Sequence, residues 1–361
     1  MNRASYCMQR MNCFSLLLLL FCSAYVASES TLPAKKYSIN LDVEASQRWN
    51  QVAIDHASAI TELLSQVVGR LPEAVVKLVN VMNINVADLL PYPYGVELAG
   101  LARVANVSEK DALLANMIYE LTAYNRSGAA KACTSIVTET ADGNVIHARN
   151  FDYGFSSVLR DLVIEVDFME NGKVVYTGTT FAGLVGLPSA MKPSGFTISI
   201  DERNSGTIWE NAFEGLIAGT HGIAHLVVRD LVANPLYDFK MAVQSLASTS
   251  LITSIYAIMS GPGQGVVMTH GRPSVIDTWW LGTNNTWFLV ETNYDHWKAP
   301  PAMDDRRDVA IKGMMTTGKA KMSVSTVVDV LSIPPVLNPG TIFTNVMSVM
   351  PEHYESWVRV P

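Results

Sequence analysis

Apolar positions along the chain follow two different periods, and the change falls near residue 133. Before it, "ASQRWNQVAIDHASAITELLSQVVGRL" (45–71) and "PEAVVKLVNVM" (72–82) repeat apolar residues at helical spacing, with Pro72 placed to open the second helix. A third amphipathic helix is predicted in "SEKDALLANMIYELTAY" (108–124), where Ser108 and Asp111 come close to a capping box. After residue 133 the period shortens. "TSIVTET", "NVIHARNFD", "LVIEVDF", "KVVYTGTTF" and "FTISID" read as strands between 134 and 201, with Asp142-Gly143 and Asn171-Gly172 as turns. "YDFKMAVQSLAST" (237–249) is helical; "SIYAIMS", "GVVMTH", "VIDTWWL" and "TWFLVETNY" (254–294) are strands again. The C-terminal part returns to helix in "DDRRDVAIKGMMTT" and "SVSTVVDVLS" (304–332). Antiparallel hairpins with helices gathered before and after predict an α+β layered domain, not a doubly wound sheet.

The first hairpin carries a chemical hint. A two-residue turn at Asp142-Gly143 pairs Ala141 with Asn144 and sets Cys133 opposite Asp152, with Cβ atoms roughly 5 Å apart. In that register Arg149 lies on the other face unless a bulge intervenes.

Cys133 also stands apart by count. The other cysteines, Cys7, Cys13 and Cys22, lie in "MNRASYCMQRMNCFSLLLLLFCSAYVAS", where Arg3 and Arg10 precede an apolar run and small residues follow. This is a signal-peptide pattern over residues 1–28, with an apolar run too short to span a bilayer. Its removal leaves Cys133 alone in an oxidising route, where a single thiol is inert and buried, linked to another chain, or used chemically. The formal charge of −7 becomes −9 without the two arginines, and no basic tract exists, which excludes nucleic acid as a partner. Sequons at Asn106, Asn125 and Asn284 fit a secretory route.

Other motifs carry less. "HGIAH" (221–225) spaces two histidines like a zinc helix but lacks the glutamate, so no metal site is expected. "GPGQG" (261–265) reads as a turn, and "DDRRD" (304–308) as a solvated helix start. "EAVVKLVNVMNINVADLL" (73–90) is core, or a face for lipid or an acyl chain. A cysteine protease would need a histidine. His147, His221, His225, His270 and His296 are available, but no papain-like or caspase-like surround marks Cys133. A cut before Cys133 offers another base, because the new α-amine has a reference pKa near 8 and sits on the same residue as the thiol.

"CTSIV" (133–137), "HARNFDYG" (147–154), "TTFAGLVG" (179–186), "DERN" (201–204) and "TNYDHWKAPPAMDDRRD" (292–308) together resemble the acid ceramidase family, most closely its N-acylethanolamine-hydrolysing acid amidase branch. The resemblance runs through nearly all of the chain after the leader. It implies an N-terminal-nucleophile hydrolase fold, a four-layer αββα sandwich, and a proenzyme cut between Ala132 and Cys133. Residues 29–132 become a helical α chain and 133–361 the catalytic β chain.

By the same resemblance Cys133 is the nucleophile, Asp152 holds its α-amine and Arg149 fixes the charge geometry. Glu202 is linked to self-cleavage, Asn293 donates to the oxyanion, and Arg306 is a second active-site arginine, with Arg307 left at the surface. No cofactor is implied. The substrate is a fatty acyl amide lipid, N-acylethanolamines ahead of ceramide, in the lysosome or after secretion. Lacking spare cysteines, the two chains stay together non-covalently, with peripheral membrane contact. "TAYNRSGAAKA" (122–132) departs from the family pattern by lengthening the approach to the cysteine. An inactive lipid-binding homologue is the rival reading; it has no use for a nucleophile.

Overall fold

The computed structural model describes residues 30–82, 84–122, 133–203 and 222–360. The leader, the segment from 123 to Ala132 (with Asn125) and His221 lie outside the described residues.

The N-terminal part opens with strands β1 (Ser30–Pro33) and β2 (Lys35–Asn40). Helices follow: α1 (Asn50–Arg70), α2 (Glu73–Val81), α3 (Val86–Leu89), α4 (Tyr94–Ala105), α5 (Glu109–Asn116) and α6 (Ile118–Thr122). Ser108 caps α5 as its sequence predicts, accepting from the Asp111 amide at 3.3 Å. In α1, Val52, Ala53, Ile60, Leu63, Leu64 and Val67 form the buried face. Burying each of its larger side chains contributes roughly 1.5–3 kcal/mol.

Beyond residue 133 come β3 (Thr134–Glu139), β4 (Val145–Asp152), α7 (Ser156–Arg160), β5 (Val163–Glu170), β6 (Lys173–Phe181), β7 (Ser189–Lys192) and β8 (Phe196–Glu202). After the next described segment begins, the order is α8 (Ala224–Ala233), α9 (Phe239–Ser248), β9 (Ile255–Gly261), β10 (Gln264–His270), β11 (Val275–Trp280) and β12 (Phe288–Glu291). The chain ends with α10 (Arg306–Thr317), α11 (Val324–Leu331), β13 (Thr341–Val349) and β14 (Glu352–Val360).

Two sheets stack face to face. One has the order β1-β14-β13-β4-β3-β12, the other β11-β10-β9-β8-β7-β6-β5-β2. Neighbours run antiparallel except β2 and β5. Alternation decides what each face meets. On the six-stranded sheet, Ile136, Ile146, Ala148 and Val290 point outward to α10 and α11, where Ala310, Met314, Val327 and Val330 complete a core. Val137, Val145 and Leu289 point inward to Tyr256, Ile258 and Val267 of the other sheet. Helices α8 and α9 cover β7 to β9 from the far side, and the N-terminal helices share that core. The expected αββα layering is what the chain adopts.

The C-terminal hairpin β13–β14 escapes the sequence pattern. Every residue of β13 is buried between β4 and β14, so the strand shows no polar face and no alternation. "GPGQG" does form a turn: Gly261 pairs with Gln264 across Pro262 and Gly263.

A buried ionic clasp joins the two halves of the sequence. Glu97 of α4 receives Arg229 of α8 at 3.0 Å, Arg48 at 3.0 Å and the Trp49 indole at 2.8 Å. The Arg229 guanidinium stacks over Phe168, 4.5 Å from the ring centre. Breaking such a pair by removing one partner typically costs about 3–5 kcal/mol, so the clasp resists separation of the N-terminal helices from the sheets.

Candidate active site

The β3–β4 hairpin sets the geometry of everything around Cys133. Its loop has three residues, not two. The Asp142 carboxylate takes hydrogen bonds from Thr140 and Asn144, and Gly143 turns left-handed at φ 83° to close it. Thr140 then pairs with Asn144 and Ser135 with Arg149. This register differs by one from the two-residue expectation. It brings Arg149 onto the inner face with Ser135, without any bulge, and turns Asp152 away.

Cys133 lies immediately ahead of β3, 3% exposed. Arg149 donates from Nη2 to its sulfur at 3.1 Å. The same guanidinium binds Asp201 Oδ1 at 3.0 Å and the Pro188 carbonyl at 3.0 Å. Ser135 donates to Asp201 Oδ1 at 3.1 Å, so Asp201 anchors the arginine that holds the thiol. Burial pushes the thiol pKa up to about 12, against the pull of Arg149, so the sulfur of the intact chain carries its proton.

Asp152 meets the cysteine through its main chain: Sγ points at the Asp152 carbonyl, 3.8 Å away. Its Oδ2 accepts from Asn338 at 2.7 Å, while Oδ1 is buried without a well-formed hydrogen bond. Burial raises this carboxyl to about pKa 7, although Thr341, Arg306 and Asn338 oppose it. Arg306, the first residue of α10, donates to the Cys133 carbonyl at 2.5 Å and to Thr292 O at 3.2 Å. Asp304 steers it through contacts of 2.8 and 2.6 Å. Two arginines therefore bracket Cys133, one on its sulfur and one on its carbonyl oxygen.

Asn293 follows β12 in the left-handed region at φ 64°, a conformation that asparagine tolerates better than most residues. Its Nδ2 donates to the Glu202 carbonyl at 2.9 Å, which uses one of its two N–H groups. Glu202 ends β8 on the face opposite Asp201, and its charge bears on Tyr119 and Glu120 of α6. All six candidate residues thus converge at one end of the two sheets.

Three readings need correction or completion. Arg307 is buried, not at the surface: it donates to the carbonyls of Asp295, His296 and Lys298 and lies over the Tyr294 ring. None of the described histidines hydrogen-bonds the thiol. His147 sits between the sheets on Thr197 and Ser199, both at 2.9 Å, and His270 is held by main-chain carbonyls. Asp201 was missed, yet its signal was present. Thr197, Ser199 and Asp201 alternate with Ile198 and Ile200, a polar stripe aimed at the opposite sheet. Among the described residues no cluster could hold a metal ion, and no helix is long and apolar enough to cross a membrane.

Sequence comparisons decide the family. The profile described as the beta subunit of N-acylethanolamine-hydrolyzing acid amidase matches residues 33–91, and that of the linear amide C–N hydrolases of the choloylglycine hydrolase family matches residues 133–269. The chain is 41% identical over 331 residues to an N-acylethanolamine-hydrolyzing acid amidase of Oryctolagus cuniculus, covering 90% of this chain and 89% of that one. An acid ceramidase of Heterocephalus glaber is 31% identical, with 91% and 86% covered. The chain belongs to the acid ceramidase and N-acylethanolamine acid amidase family. It is an amide hydrolase with the N-terminal-nucleophile fold. A solved structure of the Caenorhabditis elegans N-acylethanolamine-hydrolyzing acid amidase ortholog aligns with a TM-score of 0.57 at 33% identity, covering 63% of this chain and 100% of that one.

Glu120 adds a pH-dependent term to this family member's stability. Burial pushes its pKa to about 7, with the Glu202 charge adding to the rise and hydrogen bonds such as that from the Ala224 amide at 2.9 Å opposing it. A raised carboxyl stabilises the fold in acid, and that stability is lost as pH climbs from the unfolded value near 4.5 through 7. His147 and His225, held down near pKa 3 by burial, act in the opposite sense below about pH 6.5. A difference measurement isolates Glu120. In uncut protein, Glu120→Gln should gain roughly 2–3 kcal/mol relative to the parent between pH 5 and pH 8. Denaturant melts of both proteins at the two pH values give the number, and a pH-independent difference would refute the assignment.

Proposed function

We propose that this protein hydrolyses fatty acyl amides with small amino-alcohol heads, N-acylethanolamines ahead of ceramides, after cutting itself between Ala132 and Cys133. The observation that carries the reading is the thiol of Cys133 held at 3.1 Å by a fully buried arginine, at the residue where the amide-hydrolase profile begins.

In this mechanism the freed α-amine of Cys133 takes the thiol proton, and the buried Asp152 Oδ1 orients that amine. The thiolate attacks the amide carbonyl carbon while Asn293 donates to the developing oxyanion. The C–N bond breaks, the amine leaves with the proton, and the acyl group remains as a thioester. Water then attacks, the C–S bond breaks, and the fatty acid departs as the thiol is restored. Arg149 steadies the sulfur, Arg306 holds the Cys133 main chain, and Glu202 orients the site and assists the cut.

Residues 1–28 act as leader into the secretory route, and the protein resides in the lysosome, with sugars on the exposed Asn106 and Asn284. Residues 29–132 stay bound to 133–361 without a disulfide, by packing and the Glu97–Arg229 clasp. The apolar helices of the N-terminal piece touch the membrane that presents the substrate. Parallel assays of an N-acylethanolamine and a ceramide, with the same acyl chain, detergent and pH, test the reading. Faster cleavage of the ethanolamide is expected. Faster ceramide cleavage places the protein with the ceramidases, and no cleavage of either by correctly cut protein would revive the reading as an inactive lipid-binding homologue.

A further inference from the structure

Two buried polar groups where α6 meets α8 take no part in the chemistry above. Tyr119 of α6 is 2% exposed and His225 of α8 is 6% exposed, and their rings lie 4.6 Å apart at 50°. Among the described residues, neither the Tyr119 hydroxyl nor His225 Nε2 has a hydrogen-bond partner. Buried polar atoms are almost always satisfied, so a neighbouring pair of unsatisfied ones marks a place kept for a ligand group or water. The surroundings fix this place firmly. Glu120, next to Tyr119, accepts the Ala224 amide at 2.9 Å, one residue before His225. The His225 carbonyl accepts the Leu187 amide at 2.9 Å, and the following Pro188 carbonyl accepts Arg149 at 3.0 Å, the arginine on the thiol. The Tyr153 hydroxyl, one residue beyond Asp152, donates to the Ile118 carbonyl at 3.4 Å, which holds the start of α6 against the end of β4, and the groups that bear on Tyr119 include Glu202, Cys133 and Asp201.

We propose that Tyr119 and His225 form the subsite for a hydroxyl group carried two carbons from the amide nitrogen of the substrate. This inference rests on the amidase reading and names what that site recognises. A hydroxyl is both donor and acceptor, as the pair requires: the phenol and a neutral imidazole ring can donate to it and accept from it. Burial keeps both groups uncharged, raising the tyrosine well above its ordinary value and lowering the histidine to about 3. An uncharged, enclosed pair favours a neutral alcohol over a charged head. Ethanolamides and ceramides share this 1,2-amino-alcohol unit, so one subsite serves both. A receptor for it must lie within one nitrogen and two carbons of the attacked carbonyl, which is why proximity to the thiol matters. Tyr119 precedes the cut and His225 follows it, so each piece supplies half of the subsite.

Head-group substitution tests this on mature enzyme counted by alkylation of its active thiol. The substrates share one acyl chain: the ethanolamide, the propylamide with methyl in place of hydroxyl, a ceramide, and the ceramide lacking both its 1- and 3-hydroxyls, each of which sits two carbons from the nitrogen. In the unmodified enzyme, loss of the hydroxyl should lower kcat/KM about 3- to 10-fold within each pair. Tyr119→Phe keeps the tilted ring contact, and it should bring both ratios near one. Equal rates for hydroxyl and methyl heads in the unmodified enzyme would overturn the subsite, whether or not the variant matures. So would an equal slowing of all four substrates by Tyr119→Phe, which would assign the pair to an ordered water. If the titrated enzyme cleaves none of the four, the amidase reading falls first and this one with it.

Discussion

Cys133→Ala is expected to remain a single chain through prolonged incubation at acidic pH and to hydrolyse no amide. The parent should run as two pieces on denaturing gels, the larger beginning at Cys133. Both outcomes follow from one atom, because in the proposed mechanism the same sulfur attacks the preceding carbonyl in the cut and the substrate carbonyl in turnover. The substitution is conservative for the fold. It removes one small buried atom and leaves Arg149 bound to Asp201 and the Pro188 carbonyl, so the arginine is not stranded. A loss of folding therefore cannot account for a loss of cutting, and an unchanged melting temperature would confirm that. N-terminal sequencing of the larger piece, together with gels of both proteins, reads the result. If the variant still splits at this bond without added protease, the thiol is not the agent and the mechanism fails.

The alternating strands, the helical first part and the special standing of Cys133 were legible because each rests on local periodicity or on a residue count. What failed did so for identifiable reasons. The hairpin register depended on whether Asp142-Gly143 was the whole turn, and the hydrogen bonds of Asp142 to Thr140 and Asn144 lengthened it by one residue. That single residue decides which of Arg149 and Asp152 shares a face with the thiol. β13 hid because burial on both faces erases alternation. Arg307 hid because a run of charges reads as solvent-facing, and nothing local shows that three loop carbonyls wait for it. The residues named from family resemblance lie in one place, while Tyr119 did not stand out and His225 was named only as a metal or base candidate. They are more than 100 positions apart in the chain, and a tyrosine on an amphipathic helix reads as ordinary core. Long-range contacts of this kind are set by the packing of α6 on α8, which periodicity does not encode.

Asn293 carries the second large effect. Loss of one oxyanion donor typically lowers kcat about 100- to 1000-fold, or roughly 3–4 kcal/mol, with little change in KM. Asn293→Ala alone would be ambiguous, since alanine is strained at φ 64° and the bond to the Glu202 carbonyl is lost as well. Two further variants separate these contributions. Asn293→Gly restores the backbone freedom and still lacks the donor; Asn293→Asp keeps the size of the side chain and offers an acceptor where a donor is needed. If the amide donates to the oxyanion, all three lose kcat to a similar degree in protein that has matured, and Asn293→Gly melts higher than Asn293→Ala without regaining turnover. If the residue serves only to shape the loop, Asn293→Gly turns over near the parental rate. Each rate is normalised to the fraction cut at Cys133, so that a defect in maturation is not counted as a defect in turnover. Near-parental kcat in fully cut Asn293→Gly would remove the side chain from the reaction and leave the oxyanion to main-chain donors.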